Sequence, residues 1–194
     1  MTSKQKNTNS FLRIQTVKAD KAIGLKFAQG TGSLTINAGK DVVFTQSSDM
    51  EGGTINITTG GSVFSSSSNV VLTGLKSATI NTTGGDIGTD ATALRFAGGS
   101  GTFTTALSAT GSINVDASNL TAGRTLKGVD LTAGRDIKLA SRGDIEFTGT
   151  VTGQNITLNS TSGGVTIQKL TQNSNQAGSQ QLNVSAQRDI TISN

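Results

Sequence analysis

Proline, cysteine, histidine, tryptophan and tyrosine are all absent from this chain of 194 residues. Each absence removes chemistry. Without histidine, cysteine or tyrosine, no Ser-His-Asp triad, thiol nucleophile, His-metal site or tyrosine acid can be written. Without cysteine the small disulfide-stapled class is excluded, while the redox compartment stays open. No apolar run approaches the roughly 20 residues that span a bilayer, and residues 1–30 lack the apolar core of a secretory signal. The chain is read either as intracellular or as a piece of a longer precursor.

Charge is also sparse, at 14% of residues with a net +4, and it is unevenly spread. Residues 1–26 carry Lys4, Lys6, Arg13, Lys18, Lys21 and Lys26 against Asp20 alone. Such an arm can meet nucleic acid or an anionic membrane, but charges scattered this way are more commonly a solvated terminus. No nucleic-acid partner and no membrane insertion are expected. Residues 1–10 have no apolar residue after Met1 and read as loose. Between Phe11 and Phe27 the pattern fits either a helical face (Phe11, Ile14, Val17) or a strand (Leu12, Ile14). Residues 1–31 are therefore taken as a basic N-terminal arm that caps an open end, and residues 32–194 as one repeat domain.

What is abundant is glycine, with 25 residues, among many Ser, Thr and Asn. That composition alone would suit disorder, but regularly recurring aliphatic residues argue for a packed interior. Residues 129–147 show the unit most plainly. Val129/Leu131, Ile137/Leu139 and Ile145/Phe147 are apolar pairs, each straddling one polar residue and each eight residues after the last. Residues i and i+2 share one face of a strand, so Asp130, Lys138 and Glu146 are expected to point outward. The corners between them use Gly134, Gly143 and small polar residues, which suit tight bends.

The same unit runs from Leu34/Ile36 and Val42/Phe44 through Ile55/Ile57, Val70/Leu72 and Ile113/Val115 to Ile156/Leu158, Val165/Ile167, Leu182/Val184 and Ile190/Ile192. Steps of seven to nine residues dominate. Polar inserts at Gln46–Gly53 and Leu170–Gln181 lengthen the step, the second expected to loop off the stack, and Thr89–Ala97 is compatible with a short helical turn. Corners too short for hairpins imply a chain winding in one sense. The expectation is an all-β fold, a parallel β-solenoid (β-helix) of about three strands per coil and about eight coils, on the order of 40 Å long. An antiparallel sandwich or barrel is the competing fold, which would need the Asn-Gly or Asp-Gly hairpin turns that are missing here.

Leu131-Thr-Ala-Gly-Arg-Asp-Ile-Lys-Leu139, Ile36-Asn-Ala-Gly-Lys-Asp-Val-Val-Phe44 and Val184-Ser-Ala-Gln-Arg-Asp-Ile-Thr-Ile192 share one phrase. It resembles the repeats of filamentous-haemagglutinin-type adhesins, large exoproteins exported by bacterial two-partner secretion. The resemblance covers most of the chain from Gly32 on and is one of repeat texture, without a catalytic signature. It implies a right-handed parallel β-helix, a secreted or cell-surface location, an outer-membrane secretion partner, and a role in adhesion, biofilm matrix or reach. The secretion domain expected at the start of such a protein is not recognisable in residues 1–30, so an internal segment is the easier reading.

Several residues invite chemistry. Arg142-Gly143-Asp144 spells the tripeptide that integrins read, although Gly134-Arg-Asp136 occupies the equivalent corner one unit earlier. Asp144 and Glu146 share an outward strand face with carboxylates about 7 Å apart, a spacing that an inverting glycosidase uses. Enzymes of that kind grip sugar rings with Trp or Tyr, which this chain lacks. Gly84-Gly85-Asp86 is a lone fragment of a calcium-binding nonapeptide pattern. Sequons begin at Asn56, Asn81, Asn119, Asn155, Asn159 and Asn183, as a chain rich in Asn, Ser and Thr produces by chance. An ice-binding face would need Thr-x-Thr on one side of most coils. Thr102-Phe-Thr104, Thr148-Gly-Thr150 and Thr150-Val-Thr152 are local, and no regular column can be traced.

The expectation is a non-enzymatic structural and interaction protein without cofactor, metal or catalytic residue, binding an unidentified receptor or glycan. The alternatives are a filament subunit that self-associates end to end and a polysaccharide-degrading β-helix enzyme.

Overall fold

The computed structural model describes residues 15–19, 23–25, 32–173 and 180–194. The loose stretch 1–10, the ambiguous Phe11, Leu12 and Ile14, and residues 174–179 of the polar excursion lie outside the described residues. Among those described there is no helix. Parallel strands stack as a β-solenoid of about seven turns, one fewer than the spacing suggested. At about 4.8 Å per rung this is a rod of roughly 34 Å.

One sheet runs the whole length. Its nine strands follow the order β1 (Gln15–Ala19), β3 (Ser33–Ala38), β6 (Thr54–Thr59), β9 (Ser77–Thr82), β11 (Phe103–Ala109), β13 (Leu126–Ala133), β15 (Ile145–Gly153), β17 (Val165–Gln172) and β19 (Ile190–Ile192). The return face is divided. The strands β2 (Ile23–Leu25), β4 (Val42–Phe44) and β7 (Val63–Ser65) form a short sheet. A seven-stranded sheet contains β5 (Ser48–Asp49), β8 (Val71–Thr73), β10 (Leu94–Gly98), β12 (Ile113–Leu120), β14 (Ile137–Ser141), β16 (Ile156–Ser160) and β18 (Leu182–Ala186). Single bridges from Val63 to Ile87 and from Ile87 to Ile113 join the two. Early coils thus have three short faces and later ones two longer faces, so three strands per coil holds only for the first part. Within residues 1–31, β1 and β2 extend the two faces by one rung, with Gln15 opposite Leu34 and Ile23 opposite Val42.

The interior is built from in-register columns. Val42, Val63, Ile87, Ile113, Ile137, Ile156 and Leu182 succeed one another on the return face. On the long sheet Ile36, Ile57, Ile80, Leu107, Leu131 and Val151 do the same. Nearly all of these side chains are fully buried, each carrying about 1.5–3 kcal/mol of transfer free energy. Alternating burial along Phe103–Ala109 reflects the two-residue strand period.

Three expectations fail locally. Val129 is 64% exposed and is not the partner of Leu131. In β13 both Leu126 and Leu131 point inward, an odd spacing that needs an extra residue. Val129 and Asp130 supply it as a bulge opposite Ala106. The column position preceding the bulge is Gly128, where a Cβ would meet the Phe147 ring at 2.6 Å, so the missing side chain makes room for the ring one rung on. The helical turn at Thr89–Ala97 is absent. Thr89 and Thr92 close a tight turn through reciprocal backbone bonds, and Leu94–Gly98 is strand. Of the excursion Leu170–Gln181, expected to loop off the stack, Leu170–Gln172 instead belong to β17 and pair with β15, while the insert Gln46–Gly53, expected only to lengthen the step, contributes β5 and buries Ser48 and Met50.

Candidate functional site

The recurring phrase of glycine, basic residue and aspartate is a corner, and its chemistry is structural first. Asp41 Oδ1 accepts the Ser62 N–H (2.7 Å), Asp86 Oδ1 the Ser112 N–H (2.6 Å), and Asp144 Oδ1 the Gly164 N–H (2.7 Å). Each carboxylate satisfies a backbone donor one coil further on, where the ladder breaks to turn. The basic residues reach back two coils. Arg135 Nη2 meets Asp86 at 3.2 Å, and Arg188 Nη2 meets Asp144 at 2.5 Å. Glycines fill the same corners because rungs nearly touch there; a Cβ on Gly60 would stand 2.6 Å from the Gly39 carbonyl oxygen.

Arg142-Gly143-Asp144 is one of these corners. Arg142 is exposed, but Gly143 is buried against the Arg124 backbone, and Asp144 is held by Gly164 and Arg188. The three residues are brought together as a packed turn, not as a protruding loop. Asp144 immediately precedes β15 and Glu146 lies within it, with Glu146 opposite Lys127 in register. Lys127 Nζ lies 2.7 Å from Glu146 Oε1. Both carboxylates therefore have a cation of their own, in partly exposed pairs worth at most about 1 kcal/mol each.

The two acids also border a shallow cleft of about 380 Å³, together with Thr125, Thr166, Arg188 and Asp189. It offers carboxylates, a guanidinium and hydroxyls, and no aromatic platform, so it can hold a hydrated polar group by hydrogen bonds.

Gly84-Gly85-Asp86 is a further corner of the same kind, and no cluster of potential metal ligands occurs among the described residues. Of the sequon asparagines, Asn81, Asn119 and Asn183 are exposed, while Asn155 bonds Asp136 at 2.8 Å. An outward column does exist on the long sheet. Register places Asn37, Thr58, Asn81, Ser108, Thr132, Thr152 and Thr171 one above another, a mixed amide and hydroxyl line in which four of seven are Thr.

The residue that sequence reasoning passed over is Arg124, 3% exposed at the corner before β13. Its guanidinium donates to the carbonyls of Gly98 (2.6 Å) and Leu75 and lies 5.2 Å from the centre of the Phe103 ring. Burial lowers its pKa from the ordinary arginine value, and the negative charge of Glu51 opposes that shift. No protein-family model matches the chain, and neither a curated protein nor a solved structure matches it.

Proposed function

We propose that the protein is a non-enzymatic structural and interaction segment of a secreted or cell-surface bacterial adhesin or stalk, working through length and an extended surface. The observation that carries this reading is the unbroken nine-stranded sheet along the whole rod, whose corner residues are used to bond one coil to the next. The repeat phrase Leu131–Leu139 and its copies, similar to filamentous-haemagglutinin-type repeats, support it from the sequence side. Such a segment offers many weak polar contacts along a face, toward a receptor or glycan on another cell or in a matrix.

The test is adhesion. Beads coated with the purified protein should be retained on cultured cells or matrix polysaccharide, and soluble protein should compete. Retention equal to beads carrying an unrelated β-solenoid would overturn the reading. The enzymatic alternative predicts release of reducing sugar from a polysaccharide panel, abolished by Asp144→Asn.

One observation favours a second reading, end-to-end assembly. Leu182, Ile190 and Ile192 are 46%, 48% and 36% exposed, although their counterparts Ile156, Val165 and Ile167 one rung earlier are fully buried. That rung is where a further coil would add, whether from more of the same chain or from another copy. Electron microscopy separates fibres from isolated rods, and Ile190→Ser with Ile192→Ser would dissolve fibres built on this contact.

A further inference from the structure

Arg124 holds its charge in a place where charge is costly. It is one of the few buried polar residues in the solenoid, and among the described residues no carboxylate lies within ion-pair distance of it. Its Nε is buried without a hydrogen-bond partner. Two carbonyl dipoles and the Phe103 face offset part of the desolvation, but an unpaired buried ion costs several kcal/mol. A neutral side chain could fill the corner more cheaply. The backbone around it is also shaped to the guanidinium. Gly99 has a φ of +76°, and a Cβ there would collide with the Arg124 head group.

Beside Arg124 lies a cavity of about 350 Å³ at the corner leading into the long sheet. Its lining includes the exposed Lys76, which has no ion-pair partner among the described residues, and the exposed residues Ser100, Thr102 and Thr104. The space is many times the roughly 30 Å³ share of one water. Two cationic residues and three hydroxyl-bearing residues line it, against one acid, Glu51. Glu51 is exposed and its carboxylate packs over Gly74, where a Cβ would stand 2.7 Å from Oε2.

We propose that this cavity is a binding site for a small oxyanion group, a carboxylate or phosphate, with Lys76 and Arg124 supplying the charge and Ser100, Thr102 and Thr104 the hydrogen bonds. Glu51 is the resident competitor, and a bound anion completes the electrostatics that the protein leaves open around Arg124. The site shares no lining residue with the cleft at Asp144 and Glu146, although Thr125 of that cleft directly follows Arg124, and it does not depend on the adhesin reading.

The experiment uses the full chain, with inorganic phosphate and glucuronate as probes, glucose as the neutral control, and ionic strength held constant. Binding is read by isothermal titration calorimetry and by chemical-shift changes at Ser100–Thr104. The expected result is saturable binding of at least one anion, in the range of about 1–50 mM, with no glucose binding. Phosphate alone would identify a phosphoryl ligand, glucuronate alone a sugar acid, and both a general oxyanion site.

Glu51→Gln should tighten binding several-fold and Lys76→Gln should weaken it several-fold, the opposite signs following from removal of repulsion and of attraction. Both side chains are exposed, so neither change threatens the fold. No saturable binding of either anion, or affinities that both substitutions leave unchanged, would overturn the proposal.

Discussion

Replacing Asp86 by alanine tests whether the corner carboxylates couple successive coils. Asp86 Oδ1 accepts the Ser112 N–H at 2.6 Å and the Arg135 guanidinium at 3.2 Å. A hydrogen bond to a charged acceptor is worth about 1.5–3 kcal/mol when its loss strands the donor. The Arg135 pair is largely exposed, and screening reduces it to about 0.5 kcal/mol or less. Asp86→Ala should therefore cost about 2–3 kcal/mol. Asp86→Asn, which keeps an oxygen acceptor for Ser112, should cost about 1 kcal/mol, and Arg135→Gln at most about 0.5 kcal/mol.

Urea unfolding must be followed by far-UV circular dichroism, because the chain has no tryptophan or tyrosine reporter. Amide exchange gives the local answer, since the Ser112 N–H should exchange on the order of 30- to 100-fold faster in Asp86→Ala than in the wild type. An alanine variant within about 0.5 kcal/mol of the wild type, or one equal to the asparagine variant, would refute the corner mechanism.

The remaining predictions concern positions where burial and backbone decide the sign. Val129→Ser should shift stability by no more than about 0.5 kcal/mol, whereas Leu131→Ser should cost at least about 3 kcal/mol, both read by urea denaturation. Gly123→Ala, at φ +77° with open space around it, should cost about 1–2 kcal/mol. Gly134→Ala should cost more, because its Cβ would press on the Thr110 carbonyl of the adjacent coil; equal losses would argue against close rung contact. Ser141 Oγ is buried without a partner, so Ser141→Ala should be neutral or stabilising by up to about 1 kcal/mol in the same assay.

Much of the fold was legible because the solenoid asks one thing of each strand, an aliphatic pair at i and i+2. Ile137/Leu139, Ile145/Phe147 and Ile156/Leu158 answer it without exception. The pattern misled at Val129, because a bulge shifts the inward face by one residue and nothing in the local spelling marks it. Columns were illegible for a different reason. Successive coils differ in length, from 19 residues between Leu126 and Ile145 to 27 between Ser77 and Thr104, so no fixed step aligns Thr132 with Thr152 and Asn81.

The site was legible only in part. Asp144 could be placed on a corner, but its partner Arg188 lies two coils away. Arg124 had a faint signal. Leu120-Thr-Ala-Gly-Arg-Thr125 repeats the phrase of Leu131-Thr-Ala-Gly-Arg-Asp136 with Thr125 in place of the aspartate. Arg135 stays outside and reaches Asp86, while Arg124 turns inward to backbone carbonyls.

Parallel winding in register can be tested by cross-linking, since the absence of cysteine makes any introduced pair unique. Lys138 lies opposite Thr157, and Ala140 opposite Asn159, on outward positions of β14 and β16. Their Cα atoms are about 4.8 Å apart, within disulfide reach, whereas the diagonal from Lys138 to Asn159 is about 8 Å and beyond it. Lys138→Cys with Thr157→Cys should oxidise rapidly and quantitatively, and Lys138→Cys with Asn159→Cys should stay reduced. An antiparallel pairing of the same two strands would reverse that outcome and contradict the stacked-coil account.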